Sequence, residues 1–140
     1  MGRGEVTTAP LLDTHVWVWW LRHDERLRRR SIAQLDALPS SDRPSVADIS
    51  LWEVAMLVSR QRLTLDRPLE DWLAVAAHPR TVHVVPISSA IAAETARLPR
   101  ALRDPADRII VATSRVAEIP LFTRDAAILR SRLAARWTPA

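Results

Sequence analysis

Four carboxylates stand where short apolar runs give way to helix-like periodicity. They are Asp13 in "PLLDTHVWVWWL", Glu53 in "VADISLWEVAML", Asp107 in "RDPADRIIVATS" and Asp125 in "PLFTRDAAIL". Asp13 ends a run so apolar that a carboxylate there gives up hydration its neighbours cannot replace. Helix capping accounts for three of the four taken singly. Ser50 and Glu53 have capping-box spacing. Asp104-Pro105-Ala106-Asp107 offers an acid, a proline and a second acid at N-cap, N1 and N3, and Asp125 suits an N-cap. Capping does not explain Asp13 at the end of a buried strand, nor an acid at nearly every strand-to-helix crossing. If the four converge, their repulsion requires a cation. All-oxygen ligands favour a hard ion, Mg²⁺ or Mn²⁺, which polarises a phosphoryl oxygen and activates water.

The rest of the composition removes other chemistries. All 20 basic residues are arginine, so there is no P-loop or Schiff-base lysine. There is no tyrosine and no cysteine, hence no tyrosyl nucleophile, disulfide or thiolate ligand. The only glycines are Gly2 and Gly4, so no glycine-rich loop can cradle a nucleotide. A dehalogenase-like phosphatase needs Asp-x-Asp where this chain has Asp13-Thr14-His15, and a receiver domain needs a lysine. Net charge is +4. Arginine forks onto phosphate oxygens, which suits a nucleic-acid or acidic-peptide partner; GC-rich coding explains the arginine excess equally well. No apolar stretch is long enough to cross a membrane and the start lacks a signal-peptide core, so a cytoplasmic protein is expected.

The elements that must hold these acids alternate. Residues 1–9 read as a flexible arm. Strands are expected over 10–12, 45–49, 81–85 and 120–123, with an edge strand near Arg136. Helices are expected over 14–22, 28–38, 50–60, 68–77, 88–98, 104–118 and 125–135. That order predicts an α/β fold: a central, mainly parallel sheet of four to five short strands covered by helices. Ligands of such sheets sit beyond the carboxyl ends of the strands, where Asp13 and Asp125 fall.

With these motifs in this order, the chain resembles PIN-domain ribonucleases, specifically VapC-like toxins of type II toxin–antitoxin modules. The resemblance covers about residues 10–135. It implies a PIN-like fold in a single domain over 10–138 and an Mg²⁺- or Mn²⁺-dependent endoribonuclease leaving 5′-phosphate and 3′-hydroxyl ends. It implies a cognate antitoxin, RNA as substrate and a homodimer. Carried over by motif, the catalytic, metal-binding acids are Asp13, Glu53, Asp107 and Asp125. Thr123 matches a hydroxyl that orients the site. Asp104 reads as a cap first and a ligand-supporting acid second, and Arg108 as the arginine best placed for the scissile phosphate or a carboxylate. Many relatives carry histidine where this chain has Leu102. The other class open to the sequence is a non-catalytic PIN-like module that binds RNA or protein.

The histidines lack metal-ligand spacing; His15 reads as a packing residue at a helix start and His83 as one on a strand face. Trp52 and Trp72 are expected in the core. Trp17, Trp19 and Trp20 cannot all face one sheet, because a helix turns about 100° per residue. One or two of them should face another helix or a partner, and an antitoxin segment packing on this helix is the sharper expectation.

Overall fold

The computed structural model describes residues 9–139. The arm expected over 1–9 lies outside them except for Ala9, which is buried. Among the described residues the elements run β1 (Leu11–Leu12), α1 (Thr14–Arg22), α2 (Arg29–Asp36), β2 (Ser45–Ala47), α3 (Ile49–Ser59), α4 (Leu69–Ala76), β3 (His83–Val85), α5 (Ser89–Arg97), α6 (Pro105–Ala117), β4 (Leu121–Phe122) and α7 (Ala126–Ser131). The four strands form one parallel sheet in the order β3-β2-β1-β4. The expected edge strand is a single parallel bridge between Leu121 and Arg136.

Strand residues alternate between two cores, as a pleated sheet buried on both faces requires. Leu12, Val46 and Phe122 point to the layer of α1 to α4, where they meet Trp17, Leu35, Val54 and Trp72. Leu11, Ala47 and Leu121 point to the layer of α5, α6 and α7, where they meet Ile91, Ile110 and Ile128. The chain therefore winds outward from β1 to β3 on one face and returns over the other to β4. The winding reverses between β1 and β4, the crevice in which such sheets bind ligands.

The tryptophans divide as the helix period demands, with one exception. Trp17 is fully buried, its Nε1 donating to the Ala76 carbonyl at 3.2 Å and its ring edge-on to Trp72 at 5.3 Å. Trp20 is buried against α2, its Nε1 donating to Asp36 Oδ1 at 2.9 Å. Trp19 is left half-buried. Trp52 departs from the expected core position: it is 52% exposed. Ser50 and Val54 face inward on α3, and Trp52 lies about 200° around the helix from each of them.

Arg108 has a structural role. Its Nη1 donates to the carbonyls of Pro99 and Leu102, both at 2.7 Å. Its Nη2 donates to those of Thr95 and Leu98 at 2.5 and 3.0 Å. One guanidinium thus satisfies the end of α5 and the turn into α6, where carbonyls otherwise lack partners. Arg108→Met should cost about 2 kcal/mol of stability in urea unfolding, the scale of hydrogen bonds to a charged group. A loss below about 0.5 kcal/mol, ordinary for surface changes, would show that water serves those carbonyls equally well.

Candidate metal centre

Asp13 follows β1 directly and occupies the N-cap of α1 with extended backbone, φ −62° and ψ 154°. Its Oδ1 accepts from the Thr14 N–H at 2.8 Å, and its Oδ2 accepts from Thr123 Oγ1 at 2.7 Å. Thr123 Oγ1 in turn accepts from the Asp125 N–H at 3.0 Å. The hydroxyl expected to orient this site thus ties the end of β4 to the end of β1. Each Asp13 oxygen keeps a lone pair free for a ligand.

Glu53 is not in a capping box. Its helix starts two residues earlier than the motif suggests, and Asp48 at the N-cap makes no side-chain capping bond. Instead Thr14 Oγ1 donates to Glu53 Oε1 at 2.5 Å and lies 2.8 Å from Ser50 Oγ. Thr14 has one hydroxyl proton, so with Glu53 ionised Ser50 is the donor to Thr14. Thr14 and Ser50, both buried, join the acidic cluster, a contact that sequence reasoning alone misses. The only signal is a hydroxyl at the first helical position directly after Asp13.

The remaining acids come from helix starts. Asp104 Oδ1 accepts from the Asp107 N–H at 3.0 Å, and Asp125 Oδ1 accepts from the Ile128 N–H at 3.0 Å, so both cap their helices. Asp107 is half-buried, and among the described residues its carboxylate accepts no hydrogen bond. Arg108 beside it is committed to carbonyls, so the structure does not bring it to the acids. His15 is exposed and sits 5.8 Å ring to ring from Trp19. His83 is exposed on β3.

The electrostatics show that these acids feel one another. Burial pushes the Asp107 carboxyl up to about 7, reinforced by Asp104, Asp13, Asp125 and Glu53 in that order. Burial also raises Asp13, against the pull of the Thr123 and Thr14 hydrogen bonds. Glu53 is raised by burial, opposed by the Thr14 bond and helped by Asp13 and Asp104. Among the described residues no three such side chains are already drawn around one point to hold an ion. Carboxylates without a counter-charge spread apart, and closer approach costs several kcal/mol per pair at short range. An all-oxygen set with unneutralised repulsion, including one unbonded carboxylate, fits a hard divalent cation.

A family model described as the PIN domain matches residues 11–132. Ribonuclease VapC22 of Mycobacterium tuberculosis is 39% identical over 120 residues, covering 84% of this chain and 88% of that protein. Among solved structures, a toxin-antitoxin complex from Klebsiella pneumoniae matches with TM-score 0.62 at 21% identity, covering 94% of this chain and 98% of that one. FitAB bound to an IR36 DNA fragment matches with TM-score 0.65 at 21% identity, covering 92% and 94%. FitAcB from Neisseria gonorrhoeae matches with TM-score 0.63 at 22% identity, covering 92% and 96%.

The Asp107 shift has a testable consequence for stability. Between the ordinary value of 3.8 and about 7, folded Asp107 holds a proton that the unfolded chain has released. Metal-free protein should therefore lose stability as pH rises through that window and level off above it. Asp107→Asn should make this slope shallower and raise Tm more at alkaline than at acid pH. Equal shifts across the range would show that Asp107 carries no such burden.

Proposed function

Because this chain belongs to the PIN-domain family, we propose that it is a VapC-like ribonuclease toxin that cuts RNA internally with Mg²⁺ or Mn²⁺ held by Asp13, Glu53, Asp107 and Asp125. The observation that carries this reading is geometric: Thr14 joins Asp13 to Glu53, and Thr123 joins Asp13 to the backbone of Asp125, at one edge of the sheet. A cation bound there supplies charge against the phosphate oxygens and lowers the pKa of water. Asp13 is held in place by Thr14 and Thr123, and Glu53 is aimed by Thr14. These bonds fix the carboxylates before substrate arrives, and such preorganisation is where electrostatic catalysis gains its advantage. Asp107, whose carboxyl burial pushes up to about 7, would be held in its ionised form by a cation bound beside it. Cleavage leaves 5′-phosphate and 3′-hydroxyl ends.

The proposal extends to partners. The chain works as one domain over 10–138, is held in check by a cognate antitoxin, and forms a homodimer. Ribonuclease VapC22, named above for the same activity, supports the RNA substrate. The solved toxin-antitoxin complex supports the antitoxin. Among the described residues no helix is long and apolar enough to cross a membrane.

Glu53→Gln separates this reading from a PIN-like module that binds without cutting. The glutamine can still accept from Thr14, and no capping box is lost, so Tm should hold. Cleavage should fall at least tenfold, roughly 1.4 kcal/mol of barrier. Asp13→Asn should abolish cleavage, and chelator should do the same to wild type. Near-normal cutting by the Glu53 variant, or cutting in excess chelator, would contradict the proposal.

A further inference from the structure

Two cavities adjoin at the end of β4. One, of about 370 Å³, is lined by Asp13 and Asp125 together with His15, Trp19 and Arg124. The other, of about 250 Å³, is lined by Arg28, Arg30, Arg124 and Arg136, with Thr123 in its wall. Arg124 belongs to both, and Thr123 is the hydroxyl that donates to Asp13. No Asp or Glu lines the second cavity.

These arginines are available. Among the described residues the exposed side chains of Arg28, Arg30 and Arg136 make no ion pair and no hydrogen bond. Arg124 gives one bond, from Nη1 to the Arg26 carbonyl at 3.1 Å, and its other donors remain. Arg108 and Arg115, by contrast, are committed to specific acceptors, Arg108 to four carbonyls and Arg115 to Glu94 and the Leu133 carbonyl. Uncommitted arginines such as Arg60, Arg62 and Arg103 occur elsewhere, and what sets this group apart is that Arg28, Arg30, Arg124 and Arg136 line one cavity beside Asp13 and Asp125. His15 and Trp19 are four residues apart on α1 and share a face, their rings 5.8 Å apart and tilted 45°. Trp19 is the one tryptophan of α1 that is only half-buried: it packs against the core on one side, and the Arg26 guanidinium, 5.6 Å from its ring centroid, must move aside where a base stacks on that face.

A trough with carboxylates at one end, unpaired guanidiniums along the other and an aromatic pair beside the acids suits an unpaired polynucleotide. Guanidiniums take phosphates, and aromatic rings take bases that a duplex would keep stacked inside. We propose that the chain grips single-stranded RNA along this trough, with a base beside the cut stacked on the His15–Trp19 pair and the adjoining phosphates running past Arg124 to Arg28, Arg30 and Arg136. The inference rests on the ribonuclease reading and deepens it: it gives the strand a direction away from the acids and makes Trp19 a positioning residue.

Binding of a short oligouridylate and of its base-free ribose-phosphate counterpart, measured by fluorescence anisotropy in chelator so that nothing is cut, tests both halves. The combined variant Arg28→Gln, Arg30→Gln, Arg136→Gln should weaken both strands alike. It should also lower the slope of log affinity against log salt by about 2, since each phosphate left without its arginine removes about 0.7. Trp19→Ala should weaken the oligouridylate roughly tenfold, as loss of one stacked base does, and leave the base-free strand unaffected, with Trp19→Phe restoring binding. An arginine variant with wild-type affinity and slope overturns the trough, and escape of that variant from antitoxin inhibition would give the surface to a protein instead. Equal loss on both strands in Trp19→Ala overturns the stacking. If wild type binds neither strand at low salt, the ribonuclease reading falls with the trough; if it binds and the variants are indifferent, the trough alone falls.

Discussion

Carboxylates crowded at one edge of a buried sheet repel one another, and the residues around them are arranged to hold them there. Asp13 has lost nearly all of its water, and Glu53 and Asp107 much of theirs, yet each feels the others' charge. Such a cluster destabilises a fold unless something fixes it. Here fixed hydroxyls and backbone N–H groups do so: Thr14 bridges Asp13 to Glu53, and Thr123 bridges Asp13 to the start of α7. These bonds favour the ionised forms and partly offset the cost of burial. Asp13 and Glu53 stay raised above their ordinary values despite these bonds.

The fold makes this arrangement economical. A parallel sheet directs every strand's carboxyl end to one side, and helix N-termini meet there. Asp13, Asp104 and Asp125 each cap a helix while lying near the others. Capping and the ligation proposed for Asp13 and Asp125 are therefore not rival accounts, while Asp104 serves as a cap. The N–H bond holds one oxygen and aims the other. Glu53 is the exception: with no cap to make, it depends on Thr14 for its aim.

Much of this was legible in the sequence because the determinants are local. Apolar runs bounded by caps placed all four strands and seven helices within a few residues, since both signals act over single turns. The acids were legible because helix starts and strand ends converge in this topology. The fates of Trp52 and Arg108 were not. Trp52 lies outward because Ser50 and Val54 take the inward face of α3, Ser50 against Thr14, a residue 36 positions away in the chain. Arg108 turns to the carbonyls ending α5, whose position depends on the packing of α5 against α6. Both are tertiary facts that override local pattern.

If divalent metal neutralises these acids, it must displace a proton from Asp107. Calorimetric titration of Mn²⁺ into the full chain, repeated in buffers of different ionisation enthalpy, reads both events. Binding should come with release of a large fraction of one proton at mildly acid pH, falling toward zero well above pH 7. No binding at millimolar Mn²⁺, or binding with no proton released at any pH, would contradict it.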